Sequence, residues 1–214
     1  WGKENKSETF KKILPIILIS ILMTFLIFLN YQSFNIIGIA GIFLAFWILL
    51  NNIFILIRKN KIHSVGMIIA HIGIGLLILG VTASSVWQKE KITKMKLQDE
   101  IKIENYNIVF NKIVEVSESN YVAIRGEFLV HKKNKKMVTT LKPENRFYPV
   151  TNIFTTEASI HSNLIRDLYI VLGEGNHRGG WVVRIYYNPL VIWIWIGSIV
   201  IFFGGVISMT KNFK

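Results

Sequence analysis

The sequence predicts a polytopic α-helical membrane protein with four transmembrane helices and an inserted, mainly antiparallel β extracytoplasmic domain. Three observations lead there. Apolar residues make up 51% of the chain and are clumped into four long blocks, which raises the mean hydropathy to +0.42. Between the third and fourth blocks the pattern changes to an alternation of apolar and polar residues. Lys and Arg concentrate in the short flanks of the blocks.

A helix rising about 1.5 Å per residue needs about 20 mostly apolar residues to cross the hydrocarbon of a bilayer. Residues 13–29, 36–57, 65–84 and 189–209 each meet that length without an interrupting charge, and His71 is the one ionisable side chain inside them. Lys3, Lys6, Lys11 and Lys12 precede the first span, Arg58, Lys59 and Lys61 lie between the second and third, and Lys211 and Lys214 follow the fourth. Residues 30–35, between spans one and two, carry no charge. Positive flanks stay on the cytoplasmic side, so both ends are expected in the cytoplasm. Residues 85–188 are then outside, since long domains translocate largely regardless of their charge. The division is 1–84, with the first three spans, then 85–188, then 189–214.

Within the outer region, residues 92–97, 101–103, 108–116, 122–130 and 137–141 alternate with β-branched and aromatic types prominent, the signature of half-buried strands. Residues 117–120 and 132–136 are polar turn stretches. Residues 155–172 have a more helical spacing, and Gly173, Gly175, Gly179 and Gly180 mark a mobile turn before a last strand at 181–187. Trp87, Trp181, Trp193 and Trp195 lie near span ends, where amphipathic indoles anchor a protein at the headgroups.

The net charge of +12 does not indicate a nucleic-acid partner, because the Lys residues flank spans or are dispersed along strands without a recognition helix or stacking platform. The chain has no cysteine, hence no disulfide, thiolate metal site or thiol nucleophile of its own. No Ser-His-Asp set, carboxylate pair or phosphate-binding loop is legible, and nothing brings Asp167 and Glu174 together. The first residue is Trp1 and no signal-peptide pattern opens the chain, so it reads as the C-terminal part of something longer.

That leaves His71, about 9 Å along the third span from its cytoplasmic end. A neutral imidazole carries one donor and one acceptor, and both need partners at that depth. A haem iron, another metal, a proton path or an interhelical hydrogen bond would each serve. Gly66, Ala70, Gly73 and Gly80 recur along one side of the helix and Gly75 lies one turn beyond His71. Such small residues admit either a neighbouring helix or a flat macrocycle. His63 reads as an interfacial surface group, His131 as solvent-exposed, and His161 and His177 as extracytoplasmic; none shows metal-ligand spacing.

Three blocks carry a resemblance. Residues 66–80 (GMIIAHIGIGLLILG), residues 156–160 (TEASI) with 166–174 (RDLYIVLGE), and residues 181–197 (WVVRIYYNPLVIWIWIG) together resemble the C-terminal part of the CcmF/NrfE family of cytochrome c maturation proteins. Their order and spacing make the likeness specific, and it covers the chain from about Lys61 onward. The resemblance implies a haem lyase of the bacterial cytoplasmic membrane, or of the mitochondrial inner membrane, that receives haem from a chaperone and attaches it to apocytochrome c with thiol-handling partners. It implies a resident haem b with His71 as one axial ligand, and Gly73 and Gly75 would leave room beside His71 for the macrocycle. The second ligand and the haem-presenting segment would belong to the missing N-terminal part of the same protein, and the present fragment would be inactive alone. A cofactor-free membrane-anchored receptor or assembly scaffold, with His71 bonded to a neighbouring helix, is the competing reading. A transporter is disfavoured by the unbroken spans.

Overall fold

The computed structural model describes residues 6–30, 35–57 and 65–211. Lys3, Arg58, Lys59, Lys61, His63 and Lys214 lie outside them. Two compact units emerge, one formed by residues 1–87 with 189–214 and the other by residues 88–188.

The first unit contains helices α1 (Lys6–Asn30), α2 (Ile36–Ile57), α3 (Val65–Val86) and α4 (Ile192–Lys211), and each is long and apolar enough to cross a membrane. Several of their polar side chains turn back onto their own helices. Ser20 Oγ donates to Ile16 O at 2.8 Å, Thr24 Oγ1 to Ser20 O at 2.8 Å, and Asn52 Nδ2 to Ile48 O at 2.8 Å. In a bilayer this satisfies groups that water cannot reach. Asn35 caps α2, its Oδ1 accepting from the Ile37 and Gly38 amides at 3.0 and 3.2 Å. Ile42, Ala83 and Trp87 form a buried cluster with Phe28, Leu79 and Leu190 around it.

Helix α3 sits between two neighbours, packing against α2 on one side and α4 on another. Its small residues decide how closely. A Cβ on Gly66 would lie 2.5 Å from Ser208 N and 2.6 Å from Gly204 O, one on Gly73 2.7 Å from Gly197 O and Ile201 N, and one on Gly80 2.8 Å from Ile194 N. The obstruction is backbone in every case. Gly197 and Gly204 on α4 reciprocate, meeting Gly73 and Ala70, so the stripe is a two-sided small-residue seam between α3 and α4. Gly75 faces the other way, where a Cβ would lie 2.7 Å from the Leu49 side chain of α2.

The second unit is an antiparallel β-sandwich built from β1 (Lys89–Met95), β2 (Glu100–Ile103), β3 (Tyr106–Ser117), β4 (Val122–Lys132), β5 (Met137–Leu141), β6 (Glu144–Tyr148), β7 (Ile153–Glu157), β8 (Ser159–Ser162), β9 (Arg166–Asn176) and β10 (Gly180–Pro189). One sheet has the order β1-β10-β9-β8 and the other β2-β3-β4-β6-β7, with β5 also paired to β4. Alternation drives both sheets inward: Ile108, Phe110, Phe128 and Val130 from one meet Leu168, Ile170, Leu172, Val183 and Ile185 from the other in a common core. Phe110 and Phe128, directly paired across β3 and β4, stack at 4.4 Å.

Three sequence expectations are corrected here. Residues 155–172 are strands β7 to β9, not helix-like: the apparent helical spacing came from Leu164 and Ile165, which are 62% and 68% exposed in the turn before β9. Gly173 and Gly175 belong to β9, so the turn is confined to residues 177–179. Gly180, whose φ of 78° suits glycine, opens β10 with its missing Cβ facing Met95 O. Trp181 is no membrane anchor; it is 3% exposed in the sandwich core, edge-on to Phe110 at 5.9 Å.

β6 escaped the pattern because its inward position is charged. Glu144, 5% exposed, accepts from Arg125 Nε at 2.5 Å and from Arg146 Nε at 2.7 Å. Burial works against its ionisation, but the hydrogen bonds from Arg146 and Arg125 outweigh burial and hold the carboxyl below its ordinary value. A folded pKa below the unfolded one contributes stability that is present above the ordinary carboxylate range and lost as pH falls through the lowered value. Glu144→Gln is therefore expected to cost about 2 kcal/mol at neutral pH, the scale of charge-assisted hydrogen bonds, and to flatten the acid side of the stability profile. Urea unfolding followed by near-UV circular dichroism across the acid range checks it; parallel profiles for both proteins would refute it.

Candidate functional site

One face of α3 carries the described histidine of the helical unit. Gly66, Gly73 and Gly80 are turned to α4 and Gly75 to α2. Helical geometry at 100° per residue places Met67, His71, Ile74 and Val81 on the face between those contacts, and all four are exposed among the described residues. His71 Nδ1 lies 2.7 Å from Met67 O, four residues back on the same helix. A carbonyl can only accept, so Nδ1 carries the proton and donates. That bond fixes the tautomer and the ring orientation, and it leaves Nε2 with its lone pair directed away from the helix backbone. No described residue hydrogen-bonds Nε2.

Such a nitrogen on an otherwise apolar face can accept a hydrogen bond or bind a metal. Imidazole is a good donor to iron, and a backbone carbonyl behind Nδ1–H is the usual support for a ligating histidine. The donor chemistry of His71 thus fits one axial position of a haem. The two glycines do not complete the fit as expected: α4 occupies the space beside Gly73 and Leu49 of α2 the space beside Gly75, which leaves neither glycine a free flank for a macrocycle.

The other sequence candidates stay apart. His131 is half-buried on β4, paired with Asn107 and Met137. His161 is bonded to Arg166, and His177 is exposed at the β9–β10 turn against Trp181. Among the described residues no three His, Asp or Glu groups converge as a metal site. Asp167 and Glu174 lie on the same strand, roughly 23 Å apart at about 3.3 Å per residue, and form no pair. Sequence reasoning missed Arg166, the largest fully buried side chain among the described residues. Its signal was available: in RDLYIVLGE, the period of two that turns Leu168, Ile170 and Leu172 inward turns Arg166 inward as well.

Residues 86–189 match the family model described as the CcmF C-terminal beta-sandwich. The cytochrome c-type biogenesis protein CcmF of Pseudomonas fluorescens is 31% identical over 206 residues, 91% of this chain, so the likeness runs well beyond the β unit into the helices. The chain belongs to the CcmF family. CcmF of Escherichia coli K12 is 34% identical over 154 residues, 71% of this chain and 23% of its own length. The biogenesis protein ccl1 of Rhodobacter capsulatus is 37% identical over 147 residues, 69% of this chain and 22% of its own. The Pseudomonas protein is covered over 31% of its length, so this CcmF-family chain spans about a fifth to a third of these relatives. A solved structure titled cytochrome c heme lyase CcmF has a TM-score of 0.71 over 97% of this chain and 35% of that one; at 14% identity it shows the shared fold.

Proposed function

We propose that this chain is the C-terminal part of a cytochrome c-type biogenesis haem lyase, in which His71 supplies one axial ligand to a transmembrane b-type haem and the β-sandwich helps organise covalent attachment of haem to apocytochrome c. The observation that carries the proposal is the state of His71: Nδ1–H is committed to Met67 O, and His71 lies exposed on a face of α3 between its contacts with α2 and α4. The opposite ligand would come from the rest of the full-length polypeptide, packed on that face. A haem held there would supply electron transfer within the bilayer, about 9 Å along α3, at a depth suited to keeping the haem under attachment reduced.

The division of labour follows from the residues present. Helix α4 meets α3 backbone to backbone and α2 meets it through the Leu49 side chain, the Met67 carbonyl orients the imidazole, and apolar Met67, Ile74 and Val81 surround it. The chain has no thiol, so the cysteines that receive haem belong to apocytochrome c, brought by its thiol-handling partners, while a haem chaperone delivers the substrate. The reading is tested by removing the His71 imidazole from the full-length protein and recording its b-type absorbance.

The sides of the membrane are a separate element of the proposal: both ends cytoplasmic, residues 85–188 periplasmic, in the bacterial inner membrane. The basic flanks and the uncharged turn support it. Alkaline phosphatase fused after Lys136 is expected to be active, and fused after Lys214 inactive. The reverse result would invert every assignment of sides.

A further inference from the structure

Arg166 opens β9 with 1% of its surface exposed, and a guanidinium cannot shed its charge in a protein. Its described partners are all uncharged acceptors. Nε donates to the Tyr106 hydroxyl at 3.0 Å, Nη1 to His161 O at 2.7 Å and to His161 Nδ1 at 2.9 Å, and the guanidinium lies 4.4 Å from the centre of the Tyr106 ring. Because Arg only donates, His161 Nδ1 accepts, which places the ring proton of His161 on Nε2. Nη2 is buried without a hydrogen-bond partner. No carboxylate pairs with this cation among the described residues, whereas the other strongly buried charge, Glu144, has two arginines. A buried charge without a counter-charge is costly.

Arg166 lines a cavity of about 540 Å³ at one end of the β-sandwich. Lys132 at the end of β4, Lys133 and Asn134 of the β4–β5 turn and Asn163 of the β8–β9 turn border it, with no Asp or Glu among its lining residues. The amides are already oriented. Asn163 Oδ1 accepts from the Ile165 and Arg166 amides at 2.8 and 2.9 Å, and Asn134 Oδ1 accepts from Lys136 N at 3.2 Å. Asn163 thereby has both lone pairs of Oδ1 engaged and its NH₂ donors left to offer, and Asn134 keeps both of its NH₂ donors as well. The polar lining is therefore rich in donors and carries three positive charges, while Tyr106, Val138, Ile165 and Tyr187 supply apolar wall.

We propose that this cavity binds an oxyanion, a phosphate or carboxylate group carried on an apolar body, with the charge seated between the lysines and buried Arg166. Arg and Lys donors suit both oxyanions, and a bound anion would offset the charge that Arg166 lacks a partner for. The inference is independent of the His71 reading.

The test uses the full chain in non-ionic detergent, titrated with three probes: dihexanoyl phosphatidate below its micellar concentration, octanoate, and neutral octanol. Saturable binding of either charged probe is expected, read as a shift of the Arg166 Nε–Hε resonance, and the tighter of the two identifies a phosphate or a carboxylate as the natural group. The double charge reversal Lys132→Glu with Lys133→Glu, at exposed positions at the end of β4 and in the turn after it, should weaken that binding about tenfold or more with an unchanged circular dichroism spectrum. Arg166→Gln should weaken it as well wherever the protein still folds. Absence of saturable binding by both charged probes, equal binding of octanol, or undiminished binding by the double-lysine variant would each overturn the proposal.

Discussion

His71→Ala in the full-length protein is expected to remove most of the b-type absorbance while leaving the membrane-inserted protein in normal amount. His71 is exposed on α3 and its hydrogen bond is to its own helix, so its truncation removes a donor atom without opening a packed core. Losing a supporting partner of a ligating histidine typically costs 10- to 100-fold in metal affinity; losing the ligand itself should cost at least about as much. His63→Ala, at the shoulder of the same span, should leave the spectrum intact. Imidazole added to His71→Ala should restore part of the signal by occupying the vacated coordination position. An unchanged spectrum with full haem content would mean that the bond to Met67 O is the whole role of His71, and the cofactor-free scaffold would become the better reading.

Gly73→Leu and Gly204→Leu are expected to be the most damaging changes in the helical unit. At Gly73 the first added carbon already falls 2.7 Å from the backbone of Gly197 and Ile201, and at Gly204 it meets the backbone of Ala70. Backbone cannot swing aside as a side chain can, so the two helices must separate and surrender their contacts along the whole seam. Overpacking costs about 1–3 kcal/mol in ordinary cores, and a separated helix pair belongs at or above the top of that range. The adjacent Gly205 supplies the control, because a Cβ there meets nothing within 4 Å: Gly205→Leu should leave the thermal midpoint in detergent and the protease resistance of α3 and α4 unchanged. Equal tolerance of leucine at Gly73 and Gly205 would show that α4 does not occupy the small-residue face, and would reopen that face to a macrocycle.

The contrast between His71 and Gly73 also shows how far the sequence could be read. A histidine in a span announces a need for a partner, and a row of small residues announces a close approach, but spacing along one helix does not say what approaches. The macrocycle expected beside Gly73 and Gly75 and the helices that lie there instead satisfy the same residue pattern. Arg166 was likewise within reach of a period-two reading, yet the neighbouring Leu164 and Ile165 imitated helical spacing. β6 was hidden because Glu144 takes an inward position that alternation reserves for apolar residues.

By itself the sequence determined the four spans, the β character of the region between the last two, and the family resemblance. These properties depend on local composition and period: a bilayer selects length and apolarity, and a pleated strand selects alternation. Only the tertiary structure decided that the glycine stripe of α3 is closed by α4, that Trp181 is core, that Glu144 is held between two arginines, and that buried Arg166 borders a donor-lined cavity. Each of these depends on which residues distant in the chain are brought within a few ångströms of one another. Contact distance governs both van der Waals repulsion and the interaction of buried charges, and no pattern confined to one segment carries it.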